Sequence, residues 1–155
     1  MLQINELSIV CYNKTIVKKN PQPKPFKKGN ISCENGAKPK PHEWPTAYAL
    51  ADAGYDIRFI PNSKVIGMAD SYINNTIFEF KAPEGKTINS VERNIRKALD
   101  HQSPNIVIDS FRIKNVQDRS IQSFLIGRLQ RGHGIMRIFF IDRKRNVVDI
   151  NKLVR

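Results

Sequence analysis

From residue 42 onward the apolar positions fall into short runs whose spacing alternates between a helical and a strand period. Pro45 stands where a first helical turn tolerates it, and Thr46 to Ala53 reads as a helix stopped by Gly54. Tyr55-Asp56-Ile57-Arg58-Phe59-Ile60 alternates apolar and polar, so it reads as a strand ended by Pro61-Asn62. Val65 to Ile73 and Thr76 to Lys81 form the two arms of a hairpin turned at Asn74-Asn75 and broken off by Pro83-Glu84-Gly85.

The second half repeats the alternation on a larger scale. Asn89 is placed to cap a helix, with Glu92 completing a variant of the capping box. Val91, Ile95, Ala98, Leu99 and Gln102 share one face of that helix, and Arg93, Arg96 and Lys97 occupy another. Ser103-Pro104 ends it. Asn105 to Asp109 is a continuous apolar run between polar residues, the pattern of a strand covered on both faces. A further helix is predicted over Asp118 to Gln130, with Ile121, Phe124, Leu125 and Leu129 inward and Gly132-His133-Gly134 as its stop. Ile135 to Ile141 and Asn146 to Ile150 read as the last two strands, joined by a turn at Asp142 to Arg145. The fold class is therefore α/β, a mixed β-sheet flanked by helices. The strand-helix-strand unit from Ile77 to Ile108 should be a right-handed crossover between parallel strands.

Residues 1–41 differ in kind. Short β-type runs, Ser8 to Tyr12 and Thr15 to Val17, precede a stretch from Lys18 to Pro41 in which prolines alternate with lysines. Such a stretch cannot form a helix or a central strand and favours extended, solvated backbone. We read 1–41 as a short β-type segment with a Lys/Pro-rich arm or linker, and 42–155 as the compact domain.

Composition changes this picture in one respect. The apolar (40%) and charged (26%) fractions are ordinary for a globular protein, but the net charge of +12 is not. It calls for an anionic partner: nucleic acid, an acidic protein or a membrane surface. The first residues lack a basic region followed by an apolar run, so no signal peptide is expected, and no stretch approaches the length of a membrane span. Two cysteines without CxxC spacing argue against structural zinc and make the cytoplasm the expected site of action.

Residues two apart on a strand share a face, so Ile77, Glu79 and Lys81 point one way and Phe78 and Phe80 the other. A Glu-x-Lys triplet alone is most often a solvated pair. Asp70 across a tight turn raises its meaning: two carboxylates and a lysine at one hairpin end could hold a divalent cation, magnesium or manganese, and position a water. Asp70 and Glu79 would be the metal ligands, and Lys81 would assist the attack. Glu43 is a further acid near a helix start, where a favourable helix-dipole charge is the plainer explanation. A slip of one residue in the hairpin would dismantle the arrangement.

A resemblance adds to this. His42-Glu43-Trp44-Pro45-Thr46-Ala47, then Leu50-Ala51, Ala53-Gly54-Tyr55-Asp56-Ile57 and Phe59-Ile60-Pro61, followed by Asp70, Phe78-Glu79-Phe80-Lys81-Ala82-Pro83, Val91 to Leu99 and Asn105 to Asp109, resembles the C-terminal tRNase domain of contact-dependent growth inhibition toxins. The likeness runs over roughly 28–150. It implies a restriction-endonuclease-like core with a PD-(D/E)xK motif matched by Asp70, Glu79 and Lys81, with Glu43 on the preceding helix. Asn94 and Gln102 match auxiliary positions on the following helix. Ala69 departs from the pattern, standing where the motif usually has proline. The resemblance also implies a tRNA substrate and an acidic cognate immunity protein, a partner that the charge would suit.

Three histidines supply an alternative. His42, His101 and His133 could serve a metal-independent ribonuclease of the barnase or colicin type as general acid and base, with His101 the best placed. Arg93, Arg96, Lys97, Arg128, Arg131, Arg137, Arg143, Lys144 and Arg145 form the expected phosphate-binding surface, which gives affinity without reading sequence. The expected function is a metal-dependent endonuclease acting on tRNA, with DNA a further substrate to test. An inactive or regulatory nucleic-acid-binding module of the same fold is the other alternative.

Overall fold

The computed structural model describes residues 27–61, 69–101 and 103–154. Seven strands form one sheet in chain order: β1 (Ile31–Cys33), β2 (Ile57–Phe59), β3 (Ser71–Ile73), β4 (Thr76–Lys81), β5 (Asn105–Asp109), β6 (Arg137–Ile141) and β7 (Val147–Asp149). Among the described residues three helices accompany them, α1 (Glu43–Asp52), α2 (Ile88–Asp100) and α3 (Asp118–Gln130). The sheet is mixed. β4, β5 and β6 run parallel, β1 is parallel to β2, and the remaining neighbours are antiparallel. The unit β4-α2-β5 thus joins parallel strands as expected, and β5-α3-β6 repeats it.

The period-2 pattern of the central strands sorts the core into two halves. Ile106 and Ile108 of β5 and Ile138 and Phe140 of β6 pack with Val91, Ile95 and Ala98 of α2 and with Ile121 and Leu125 of α3. Val107, Phe139 and Ile141 point the other way, toward Phe78 and Phe80 of β4 and Ala47 and Leu50 of α1. Each fully buried Ile, Leu or Phe here is worth about 1.5–3 kcal/mol of transfer free energy. This double-sided burial is why β5 carries an uninterrupted apolar run.

The hairpin pairs in the register that its Asn-Asn turn sets. Asn74 and Asn75 both adopt positive φ (44° and 67°), as the two-residue primed turn demands. Ser71 pairs with Phe78 and Ile73 with Thr76, and Asp70 lies just before β3, beside the part of β4 that carries Glu79 and Phe80. The Asp70 N–H donates to the Phe78 carbonyl at 3.2 Å, so Asp70 and Ser71 both face Phe78 and the ladder ends in a β-bulge that re-aims the Asp70 side chain.

Three local expectations need revision. Ile31–Cys33, inside the Lys/Pro-rich stretch, forms an edge strand on β2. α2 is capped at Thr87 with extended backbone, and no side chain caps it. Asn89 lies inside the helix, and Glu92 binds Arg96 and Arg128 instead of closing a capping box. Short 3₁₀ turns follow β5 and β7, each opened by an aspartate, Asp109 or Asp149, that accepts the N–H two residues on. The early β-type runs, the arm as far as residue 26, Val65 to Met68 of the first hairpin arm and Gln102 lie outside the described residues.

Candidate active site

The end of the β3–β4 hairpin gathers the residues expected of a site. Asp70 (8% exposed) and Glu79 (2%) are buried, although nothing apolar about either favours burial. Asp70 Oδ2 accepts the Phe80 backbone N–H at 2.6 Å. The ammonium of Lys81 bonds to Glu79 Oε1, and His101 Nδ1, at the C-terminal end of α2, stands 3.4 Å from the same oxygen. Glu79 Oε2 is buried and has no hydrogen-bond partner among the described residues. The period-2 rule explains the grouping: Phe78 and Phe80 anchor β4 in the core, which leaves Glu79 and Lys81 together on the opposite face.

The charges here are not balanced locally. Asp70 is pushed up to about 7, first by burial and then by the negative charges of Glu79 and Glu43, against the Phe80 N–H and Lys81, which favour its ionised form. Glu43 lies in the first turn of α1, 4% exposed. It is partly committed, because Oε2 accepts the Lys40 N–H at 2.8 Å and Oε1 is 3.7 Å from the Lys40 ammonium. His42, just before it, is held below its ordinary value by burial, with Glu43 opposing and Arg112 reinforcing the shift.

Among the described residues, no three His, Cys, Asp or Glu side chains are grouped as ligands for one metal ion. The site therefore lacks an all-protein cage. The unpartnered Glu79 oxygen and the like charges around Asp70 nonetheless fit a hard divalent cation that takes one or two carboxylates from the protein. Magnesium is commonly held that way, with water and phosphate oxygens completing its shell.

The remaining expected residues separate into two groups. Arg93, Arg96, Lys97, Arg131 and Lys144 are exposed. Asn94 is half-buried and donates its amide to the Ser90 carbonyl at 2.8 Å. Arg128, Arg143 and Arg145 are committed within the fold, which revises their expected part in phosphate binding. Arg128 is buried and donates to Glu92 at 3.0 Å. Arg143 bonds Asp118 and the carbonyls of Ile113 and Val116. Arg145 grips both oxygens of Asp109, at 2.7 and 2.8 Å, and the Pro45 carbonyl. Arg137 likewise pairs with Asp149 at 2.8 Å. His133 is exposed in the turn after α3 and stands apart as a loop residue with positive φ. Sequence reasoning passed over Lys40 and Arg112, charged residues in connections whose paths no local pattern reveals.

One chain of the CdiA-CT/CdiI toxin and immunity complex from Burkholderia pseudomallei has a similar fold, with a TM-score of 0.62 at 22% identity over 78% of this chain and 98% of that one. At that identity the likeness is one of fold. The family model described as the contact-dependent growth inhibition CdiA C-terminal domain matches residues 68–147, just over half of the sequence. The chain belongs to this family. No curated protein matches it.

Proposed function

We propose that the chain is a toxin-type, metal-dependent endonuclease that hydrolyses phosphodiester bonds of tRNA, with a restriction-endonuclease-like core. One observation carries this reading: buried Asp70 and Glu79 stand together with Lys81 at a strand end, with charge and an oxygen left uncompensated. Membership of the CdiA C-terminal domain family supports a toxic role. The net charge of +12 supports an anionic substrate and an acidic immunity partner.

In this reading Asp70 and Glu79 hold magnesium or manganese, and Glu43 tunes the site through its charge. The bound cation would supply Lewis-acid polarisation of a phosphate oxygen. Lys81 carries a positive charge at the same point, where it favours a hydroxide over water and offsets charge growing on phosphorus. Glu79 fixes the Lys81 ammonium by a direct hydrogen bond. Asp70 must give up its proton before it can act as a ligand, so metal binding should strengthen as pH rises through about 7.

The contact between His101 and Glu79 favours one second reading, a metal-independent ribonuclease with His101 as general acid or base. Incubating the full chain with total tRNA and with plasmid DNA, with magnesium, manganese or EDTA, separates the two. The proposal expects tRNA cleavage that EDTA and Lys81→Ala each abolish. Full cleavage in EDTA that survives Lys81→Ala but not His101→Gln would replace it with the second reading.

A further inference from the structure

Immediately beyond Lys81 the surface opens into a groove of about 350 Å³, lined by Ala82, Glu84, Arg93, Asn94, Lys97 and Arg112. Arg93 and Lys97 are four residues apart on α2 and so lie on the same side of it. Arg112 comes from the opposite wall, the 3₁₀ turn after β5. Backbone bonds fix that wall, because Lys114 N–H donates to the Gly85 carbonyl at 2.8 Å and Gly85 bridges to Ile113. Gly85 sits so close to α2 that a Cβ there would fall 2.8 Å from Ser90 Cβ, and its φ of 152° also favours glycine. The loop therefore cannot drift from the helix without breaking these bonds, and the groove is part of the fold.

Three cations line this groove against one acid. That acid, Glu84, is mostly exposed and pairs with Arg112, an interaction that solvent weakens. Arg112 is also near enough to His42 to act on it electrostatically, so the groove borders the start of α1, where Glu43 lies. We propose that Arg93, Lys97 and Arg112, with Asn94 beside them, form a subsite for a nucleic-acid backbone phosphate neighbouring the one that is cut. The proposal rests on the nuclease reading and adds Arg112 to it as a positioning residue. The planar guanidinium of Arg112 suits bidentate contact with phosphate oxygens. Glu84 holds that guanidinium at the groove edge and competes with the phosphate for it.

Binding, measured apart from cleavage, tests this. The full chain in EDTA is titrated into fluorescein-labelled total tRNA, and anisotropy is followed at several salt concentrations. Arg93→Ala and Arg112→Ala should each raise Kd about tenfold, as the loss of a charge-assisted hydrogen bond does. The slope of log affinity against log salt should become shallower by about 0.7 for each phosphate no longer neutralised. Arg112→Lys, which keeps the charge without the fork, should fall between. Glu84→Gln should tighten binding, an effect that a purely structural ion pair would not give. Lys152→Ala, which removes an exposed positive charge outside the groove, should change Kd less than about twofold. The subsite is overturned if both arginine variants match Lys152→Ala in affinity and slope, or if Glu84→Gln weakens binding. If the unaltered chain binds no tRNA, the nuclease reading itself falls, and the subsite with it.

Discussion

Among the buried carboxylates of this sheet, Asp109 and the pair Asp70 and Glu79 are built on opposite terms. Asp109, at the end of β5, is fully buried, yet its oxygens accept from the Thr46 hydroxyl, from both terminal nitrogens of Arg145 and from the Phe111 N–H. Asp70 and Glu79, at the hairpin end, face one another's charge and that of Glu43, and one Glu79 oxygen has no partner among the described residues. A buried acid with every lone pair occupied ties elements together: Asp109 joins α1, β5 and the β6–β7 turn. A buried acid short of partners weakens the fold that contains it. Such a cost is characteristic of sites that await a ligand.

The contrast can be broken from either side. The largest effect is expected at the hairpin end, where Lys81→Ala should lower the rate of tRNA cleavage by about 10²–10⁴ and, because it takes the ammonium away from buried Glu79, should also lower the urea midpoint. Next, Arg145→Ala should cost about 3–5 kcal/mol in urea unfolding, because it strands the Asp109 charge in the core. A double variant that also replaces Asp109 by Asn should recover much of that loss.

Asp70→Asn should do the reverse and stabilise the metal-free protein in EDTA at pH 8. Its sign follows from linkage. The unfolded carboxyl titrates near 3.8 and the folded one near 7, so between these values the folded state holds the proton and the unfolded state does not. Stability from this group is therefore greatest below pH 3.8, falls as pH rises to about 7, and is flat above. Asp70→Asn should remove that fall and gain at most about 4 kcal/mol at pH 8, read from urea midpoints across pH. The smallest effect is at the turn that sets the register. Asn75→Ala places alanine at positive φ and should cost about 1–2 kcal/mol, measured by thermal unfolding.

Legibility in the sequence follows the same division between local and distant causes. The bounds of α3 and the run of β5 were readable because their own side chains carry the period. The face shared by Glu79 and Lys81, and the turn that brings Asp70 to them, were readable for the same reason. β1 was not, since three residues between prolines hold their strand only by pairing with β2. The capping box at Asn89 failed because Glu92 is drawn to Arg128, thirty-six residues away on α3. Arg145 looked like surface charge for a similar reason: its partner Asp109 is equally distant in the chain, and no local pattern links them. Pattern located the candidate site, but only the folded chain separates the arginines committed to internal partners from those left exposed.

Manganese titration calorimetry on the full chain at pH 8, beside Glu79→Gln, tests the central claim most directly. The account predicts saturable binding near one ion per chain, lost in the variant and weakened at pH 6, where Asp70 holds its proton. Absence of binding at pH 8 in the presence of tRNA, or binding that Glu79→Gln leaves unchanged, would contradict it.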